Sequence, residues 1–297
     1  MRKISLLFLI LLIAFSPLIG QDKLPMVARN ETPLDVTLHL RSMHLSPDTI
    51  DIHSGIFPSF IIDSMNIIID ENKMLEPILD RLRNIKEKTS DDKIRIVHIG
   101  DSHVRGKMFP NKVRDRLQME FGESVEYESF GINGATSFTF TNPRWIKKVK
   151  QLNPDFLILS FGTNESHNKR YQKVVHLQQL DELIQLLKKE YGPLPILFTT
   201  PPGSYTNYRT RNRRRVYNKN TKTIEVTNAI KEYAQNHGYP LWDLFSTVGG
   251  EKGACKNWMS ANLMRPDHVH FYQEGYELQG ELLYQALMKQ YNQYVIR

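Results

Sequence analysis

Four short segments of the chain hold the residue types needed for acyl transfer: Gly100-Asp101-Ser102-His103, Gly131-Ile132-Asn133-Gly134-Ala135, Gly162-Thr163-Asn164-Glu165 and Asp267-His268-Val269-His270. Ser102 offers a hydroxyl, which at neutral pH attacks a carbonyl only when a base takes its proton in the transition state. His270 is the candidate base. Asp267, three residues earlier, is placed to accept from the other ring nitrogen, which fixes the tautomer and stabilises the imidazolium. The backbone amides of Ser102 and Gly134 and the side-chain amide of Asn164 are candidate donors to a developing oxyanion, each typically worth about 3 kcal/mol in the transition state.

These segments need a scaffold that brings them together. From residue 94 onward the chain alternates strand-like runs (94–99, 124–130, 155–161, 195–200 and 240–245) with helix-like stretches (111–121, 143–152, 171–191, 218–237 and 273–294). That alternation predicts a doubly wound parallel sheet with crossover helices, class α/β. Ligands of such sheets bind beyond the carboxyl ends of the strands. Three of the four segments fall directly after a predicted strand, and the fourth precedes the last helix. Upstream, Leu75, Ile78, Leu79, Leu82 and Ile85 have helical spacing, predicting a helix near 74–88, while Ile67-Ile68-Ile69 reads as an edge strand at the end of an irregular arm.

With these residues in view, the sequence resembles the SGNH hydrolases, the GDSL esterase/lipase family. Its four blocks occur in order: HIGDSH with Ser102, GINGAT with Gly134, FGTNES with Asn164, and DHVHF with Asp267 and His270. The resemblance runs from about residue 94 to the C-terminus. It implies a flavodoxin-like three-layer sandwich with a five-stranded parallel sheet, ester hydrolysis without a cofactor or metal, and the triad and oxyanion roles given above. One position departs from the pattern, His103 where the family name has Leu. HIGDSHVRG together with FGINGAT looks most like exported SGNH proteins of Bacteroidetes-type bacteria, a subgroup associated with deacetylating glycans. The expectation is an exported serine esterase that removes small acyl groups, chiefly acetyl, from carbohydrate or peptidoglycan. The expected division is a signal peptide over 1–20, an N-terminal extension over 21–92 and the hydrolase domain over 93–297.

Two other readings compete. Asp101-Ser102-His103 is an Asp-x-His at a strand end, and 162–165 with Asp267, His268 and His270 offers further ligands for a binuclear metallophosphoesterase, although a bridging Asp is missing. A carbohydrate-binding protein on a decayed esterase scaffold would retain the same blocks without turnover. Several residues also have plainer readings. Gly134 suits a turn, Asn164 a helix cap and Asp101 a support for its own turn. His98 reads as a satisfied core histidine, His268 as a structural neighbour, and His103 and His167 as residues of the pocket rim, with His103 a candidate for substrate binding.

Composition sets the outer bounds. The 297 residues are 40% hydrophobic, 24% charged and 10% aromatic, which excludes disordered, collagenous and polytopic membrane classes. Arg2 and Lys3, the apolar run 4–19 and the polar Gly20-Gln21 form a signal-peptide layout. A periplasmic or secreted location with no lasting membrane insertion is therefore expected. Leu18, at the minus-three position, keeps an uncleaved anchor as the alternative. Cys255 is the only cysteine, so no intrachain disulfide can form. The net charge of +7 is unevenly spread: Arg209, Arg211, Arg213, Arg214, Arg215, Lys219 and Lys222 form one run without an acid between them. This predicts a basic loop over 208–222 on the active-site face, with Arg211, Arg213 and Arg214 as candidate contacts to an anionic glycan and no role in nucleic-acid binding. Tyr205, Tyr208 and Trp258 are candidates for stacking on sugars.

Overall fold

The computed structural model describes residues 49–52 and 57–297. The expected signal peptide lies outside the described residues, as does most of the irregular arm. Among the described residues, eight strands and ten α-helices follow in chain order. The strands are β1 (Ile68–Ile69), β2 (Ile94–Gly100), β3 (Val125–Gly131), β4 (Phe156–Ser160), β5 (Ile196–Thr199), β6 (Tyr205–Arg209), β7 (Arg215–Lys219) and β8 (Leu241–Trp242). The helices are α1 (Glu76–Lys86), α2 (Ser102–Arg105), α3 (Met108–Phe121), α4 (Pro143–Gln151), α5 (Thr163–His167), α6 (Lys173–Tyr191), α7 (Lys222–His237), α8 (Leu244–Thr247), α9 (Gly250–Ser260) and α10 (Gln273–Val295).

The main sheet runs β1-β8-β5-β4-β2-β3. Five neighbouring strands are parallel, in the flavodoxin-like order, and β1 adds an antiparallel edge beside β8. Side-chain alternation along each strand divides the core in two. Ile94, Ile96, Phe156, Ile158 and Leu197 face α1, α3 and α10. Val97, Ile99, Leu157, Leu159, Ile196 and Phe198 face α4, α6 and α7. Because both faces are covered, the central strands β4 and β5 are nearly continuous apolar runs, whereas the edge strand β3 carries Glu126, Glu128 and Ser129. α1 begins where Asp70 accepts the Met74 and Leu75 amides at 2.9 Å, and it buries Ile78, Leu79, Leu82 and Ile85 on one stripe. Asn66 fastens the edge to the body, taking the Trp242 indole N–H at 2.9 Å and donating to Leu282 O at 3.1 Å.

The five parallel strands and the edge strand at 68–69 are those expected; the structure departs from the sequence expectations in three places. The strand expected over 240–245 stops at Trp242, since Asp243 caps α8 by accepting the Ser246 N–H. The segment expected as a basic loop is instead the antiparallel hairpin β6–β7, in which Tyr205 pairs with Lys219 and Arg209 with Arg215. The helix expected from 218 starts at Lys222, because Asn220 accepts the Lys222 N–H in a local turn and commits its amide to Ser166. Among the described residues, no helix is long and apolar enough to cross a membrane.

Candidate active site

β2 ends in a turn so tight that glycine is required on two strands. A Cβ on Gly100 would lie 2.5 Å from both Ser160 O and the Val104 side chain, and one on Gly131 would overlap the backbone of Arg105. α2 therefore sits directly on the ends of β2 and β3. Asp101 caps α2 by accepting the His103 N–H at 2.8 Å, which leaves Ser102 as the first helical residue, half-buried.

The fourth segment approaches from the turn before α10. Arg265 N donates to His270 O at 2.8 Å and His268 N to Arg265 O at 2.9 Å, with His268 at φ +58°. This folds Asp267 back on His270. Asp267 Oδ1 accepts the Val269 and His270 amides at 2.9 Å each, and Oδ2 lies 2.8 Å from His270 Nδ1. His270 Nε2 is 2.9 Å from Ser102 Oγ. Partial burial alone would raise the Asp267 carboxyl. The two backbone N–H groups and the imidazole outweigh it and hold the group below its ordinary value. An ionised Asp267 is an acceptor only, so His270 Nδ1 carries the proton and Nε2 is free to receive one.

Asn164 follows Gly162, whose φ of +118° turns the chain from β4 into α5. In the free protein Asn164 Nδ2 donates to Ala135 O at 2.9 Å and to Asp101 Oδ2 at 3.2 Å. The amide is thus held against both the nucleophile turn and the Gly134 loop. Gly134 itself is exposed at φ +72°. Glu165, named from the sequence only within the third segment and with no part in the esterase site, accepts Ser137 N at 2.8 Å and Gly162 N at 2.9 Å. Burial pushes its carboxyl up, against the pull of those backbone donors. Asp101 is likewise pushed up by burial, to about 8, despite the His103 N–H.

One family model, the GDSL-like Lipase/Acylhydrolase family, matches residues 98–278, which include all four segments. The chain belongs to that family. The fold of this acylhydrolase is similar to a peptidoglycan O-acetylesterase, with TM-score 0.65, 16% identity, and coverage of 76% of this chain and 99% of that one. An acetyl xylan esterase gives TM-score 0.53 at 18% identity, covering 65% and 100% of the two chains. A two-domain esterase active on acetylated mannans gives 0.54 at 16% identity, covering 77% and 56%. No curated protein sequence matches the chain significantly.

Other expected site residues of the acylhydrolase fall in less simple places. His103 does not reach the rim: it is 5% exposed and its Nδ1 lies 3.0 Å from Tyr276 OH beneath the site, with its ring 5.4 Å from that of His270. Burial first, and the neighbouring His270 second, lower its pKa to about 3. Its inward direction follows from α2 packing flat on the sheet, which points His103 and Val104 into the core. His167 is exposed, 2.9 Å from Ser204 Oγ. His98 is the core histidine expected, with Tyr127 OH 2.9 Å from Nδ1 and Ser160 Oγ 2.6 Å from Nε2. Trp258 is fully buried with its indole on Pro202 O, so it is a core residue; Tyr208 remains exposed on the hairpin. Arg211, Arg213 and Arg214 occupy the exposed hairpin turn. Among the described residues, no group of three or more His, Cys, Asp or Glu side chains is arranged to hold a metal ion.

Proposed function

We infer that this acylhydrolase is an exported serine esterase that removes small acyl groups, chiefly acetyl, from carbohydrate or peptidoglycan. The observation that carries the reading is the continuous chain from Asp267 Oδ2 through His270 to Ser102 Oγ, with steps of 2.8 and 2.9 Å. Ser102 Oγ attacks the ester carbonyl while its proton passes to His270 Nε2, and Asp267 stabilises the resulting imidazolium. The carbonyl oxygen takes up the negative charge. Ser102 N, Gly134 N and Asn164 Nδ2 are its donors, with the longer bond from Asn164, to Asp101, yielding to the oxyanion. Collapse expels the sugar hydroxyl, which takes the proton from His270 and leaves acyl-Ser102. A water molecule then gives a proton to His270 as its oxygen attacks the acyl carbon, and collapse of this second tetrahedral intermediate releases the carboxylic acid while His270 returns the proton to Ser102 Oγ.

Acetyl esters of glycans are named for three proteins that share the fold. Arg2, Lys3 and the apolar run 4–19 support export. Acetate release from acetylated xylan, mannan and peptidoglycan, measured beside Ser102→Ala, tests the reading. It expects release from at least one glycan and none from the variant. Turnover that survives loss of Ser102 would reject the mechanism.

A further inference from the structure

Five of the seven residues from Arg209 to Arg215 are arginines, and no acidic residue occurs from Tyr205 to Lys222. The hairpin makes this crowding worse. Arg209 and Arg215 are direct cross-strand partners, and Arg211, Arg213 and Arg214 share the turn between them, all exposed. Like charges directly opposite on paired strands destabilise a hairpin. An ordered hairpin that keeps this pattern gains nothing from it in folding, and a bound polyanion would relieve it.

The base of the hairpin is joined to the loop that carries His270. The Tyr217 ring stacks on His268 at 3.9 Å and 20°, its hydroxyl donates to Pro266 O at 2.9 Å, and Tyr205 N donates to His268 O at 2.9 Å. Further positive charge gathers on the neighbouring segments. Lys222 Nζ holds the carbonyls of Asn168 and Lys169 at 2.8 and 2.6 Å, which brings exposed Lys169 and Arg170 beside the hairpin's exit. Exposed Arg265 sits two residues before Asp267. Cations thus flank both the helix of Asn164 and the loop of His270.

We propose that the β6–β7 hairpin is a binding arm for a polysaccharide with carboxylates on its sugar rings, and that the ester cleaved at Ser102 is carried by such a chain. The second half rests on the esterase reading; the arm does not. Guanidinium groups pair with carboxylates through two parallel N–H bonds, which suits arginine to this task better than lysine. A carboxylate that recurs along the chain engages several arginines at once while one sugar stays at Ser102. Exposed charges are screened beyond about 8 Å at physiological salt, so the contact weakens as salt rises.

The test uses Ser102→Ala protein, which binds without turnover, and its derivative with Arg211, Arg213, Arg214 and Arg215 all changed to Gln. Affinity for polygalacturonate, neutral xylan, purified peptidoglycan and single-stranded DNA is measured at about 50 and about 300 mM salt. Thermal melting verifies that the derivative is folded. The expected result is preference for polygalacturonate, weakening with salt, and a loss of about tenfold or more in the derivative. Equal affinity for xylan, or an unchanged affinity in the folded derivative, overturns the arm. Tighter binding to peptidoglycan or DNA overturns the choice of ring carboxylates. If the arm binds as expected while wild-type protein cleaves no ester on any glycan, the esterase reading fails and the arm stands.

Discussion

Glu165 accepts the backbone N–H of Ser137 at 2.8 Å across 28 residues of sequence. Its other oxygen holds Gly162 N, so a single carboxylate ties the loop after β3 to the loop after β4. The first loop carries Gly134, and Asn164 lies on α5 directly after the second. The side chain of Asn164 adds a second tie, from its Nδ2 to Ala135 O. The two proposed oxyanion donors are therefore set relative to each other by the neighbouring residues Asn164 and Glu165 on one turn of α5.

This clamp gives a first prediction. Glu165→Gln turns an amide N–H toward one of two backbone donors and breaks that tie. The expected loss is about tenfold in kcat with KM nearly unchanged, because a displaced oxyanion donor matters most in the transition state. Glu165→Asp, which keeps two acceptor oxygens, should recover part of the rate. Steady-state kinetics on a small acetyl ester checks it; a change confined to KM would assign Glu165 to substrate binding.

Ser102→Ala and His270→Ala should each nearly abolish ester hydrolysis, and the double variant should be little worse than either. Both residues take part in one proton-transfer and attack event and so act non-additively. Asp267→Ala should cost less, since Asp267 orients and polarises the base without exchanging bonds with substrate. The check is the ratio of kcat/KM in the three single variants and the double; additive losses would separate Ser102 from His270.

Asn164→Ala should lower kcat about a hundredfold or more with a small effect on KM. Both of its bonds in the free protein, to Ala135 O and Asp101 Oδ2, anchor the amide, so the same variant should also lower the melting temperature slightly. An effect on KM alone would make Asn164 a ground-state contact.

His98 supplies a pH prediction. Burial lowers its pKa from 6.5 to about 3, so the folded protein holds it neutral between Tyr127 and Ser160. Between pH 6.5 and about 3 the unfolded chain takes a proton at this position and the folded chain does not. The contribution of His98 is thus full above pH 6.5 and declines as pH falls through that window. His98→Gln should be destabilising by about 2 kcal/mol at neutral pH from disrupted buried hydrogen bonds, and the gap to wild type should narrow by about pH 5. Urea unfolding at both pH values measures the gap; a constant gap contradicts the assignment.

Much of this was legible in the sequence because it depends on local pattern. The strands β2, β4 and β5 announce themselves as mainly apolar runs covered on both faces, and three of the chemical segments fall at the carboxyl ends of parallel strands. What stayed hidden depends on partners far along the chain. Glu165 became visible only with Ser137, and the inward turn of His103 only with Tyr276, which is 173 residues away. The hairpin was masked by its charge: Tyr205, Thr206, Tyr208, Val216 and Tyr217 favour strands, but the arginines between them read as a solvated loop. Trp258 lacked a local signal of depth, since its burial comes from Phe60 and Phe271 packing around it.

The most direct measurement of the central claim is peptide mass spectrometry after treatment with a serine-directed phosphonate. The account predicts a single adduct on Ser102, formed in step with loss of ester hydrolysis, and none on Ser102→Ala. Complete inactivation with Ser102 unmodified, or full modification of Ser102 with hydrolysis retained, would contradict it.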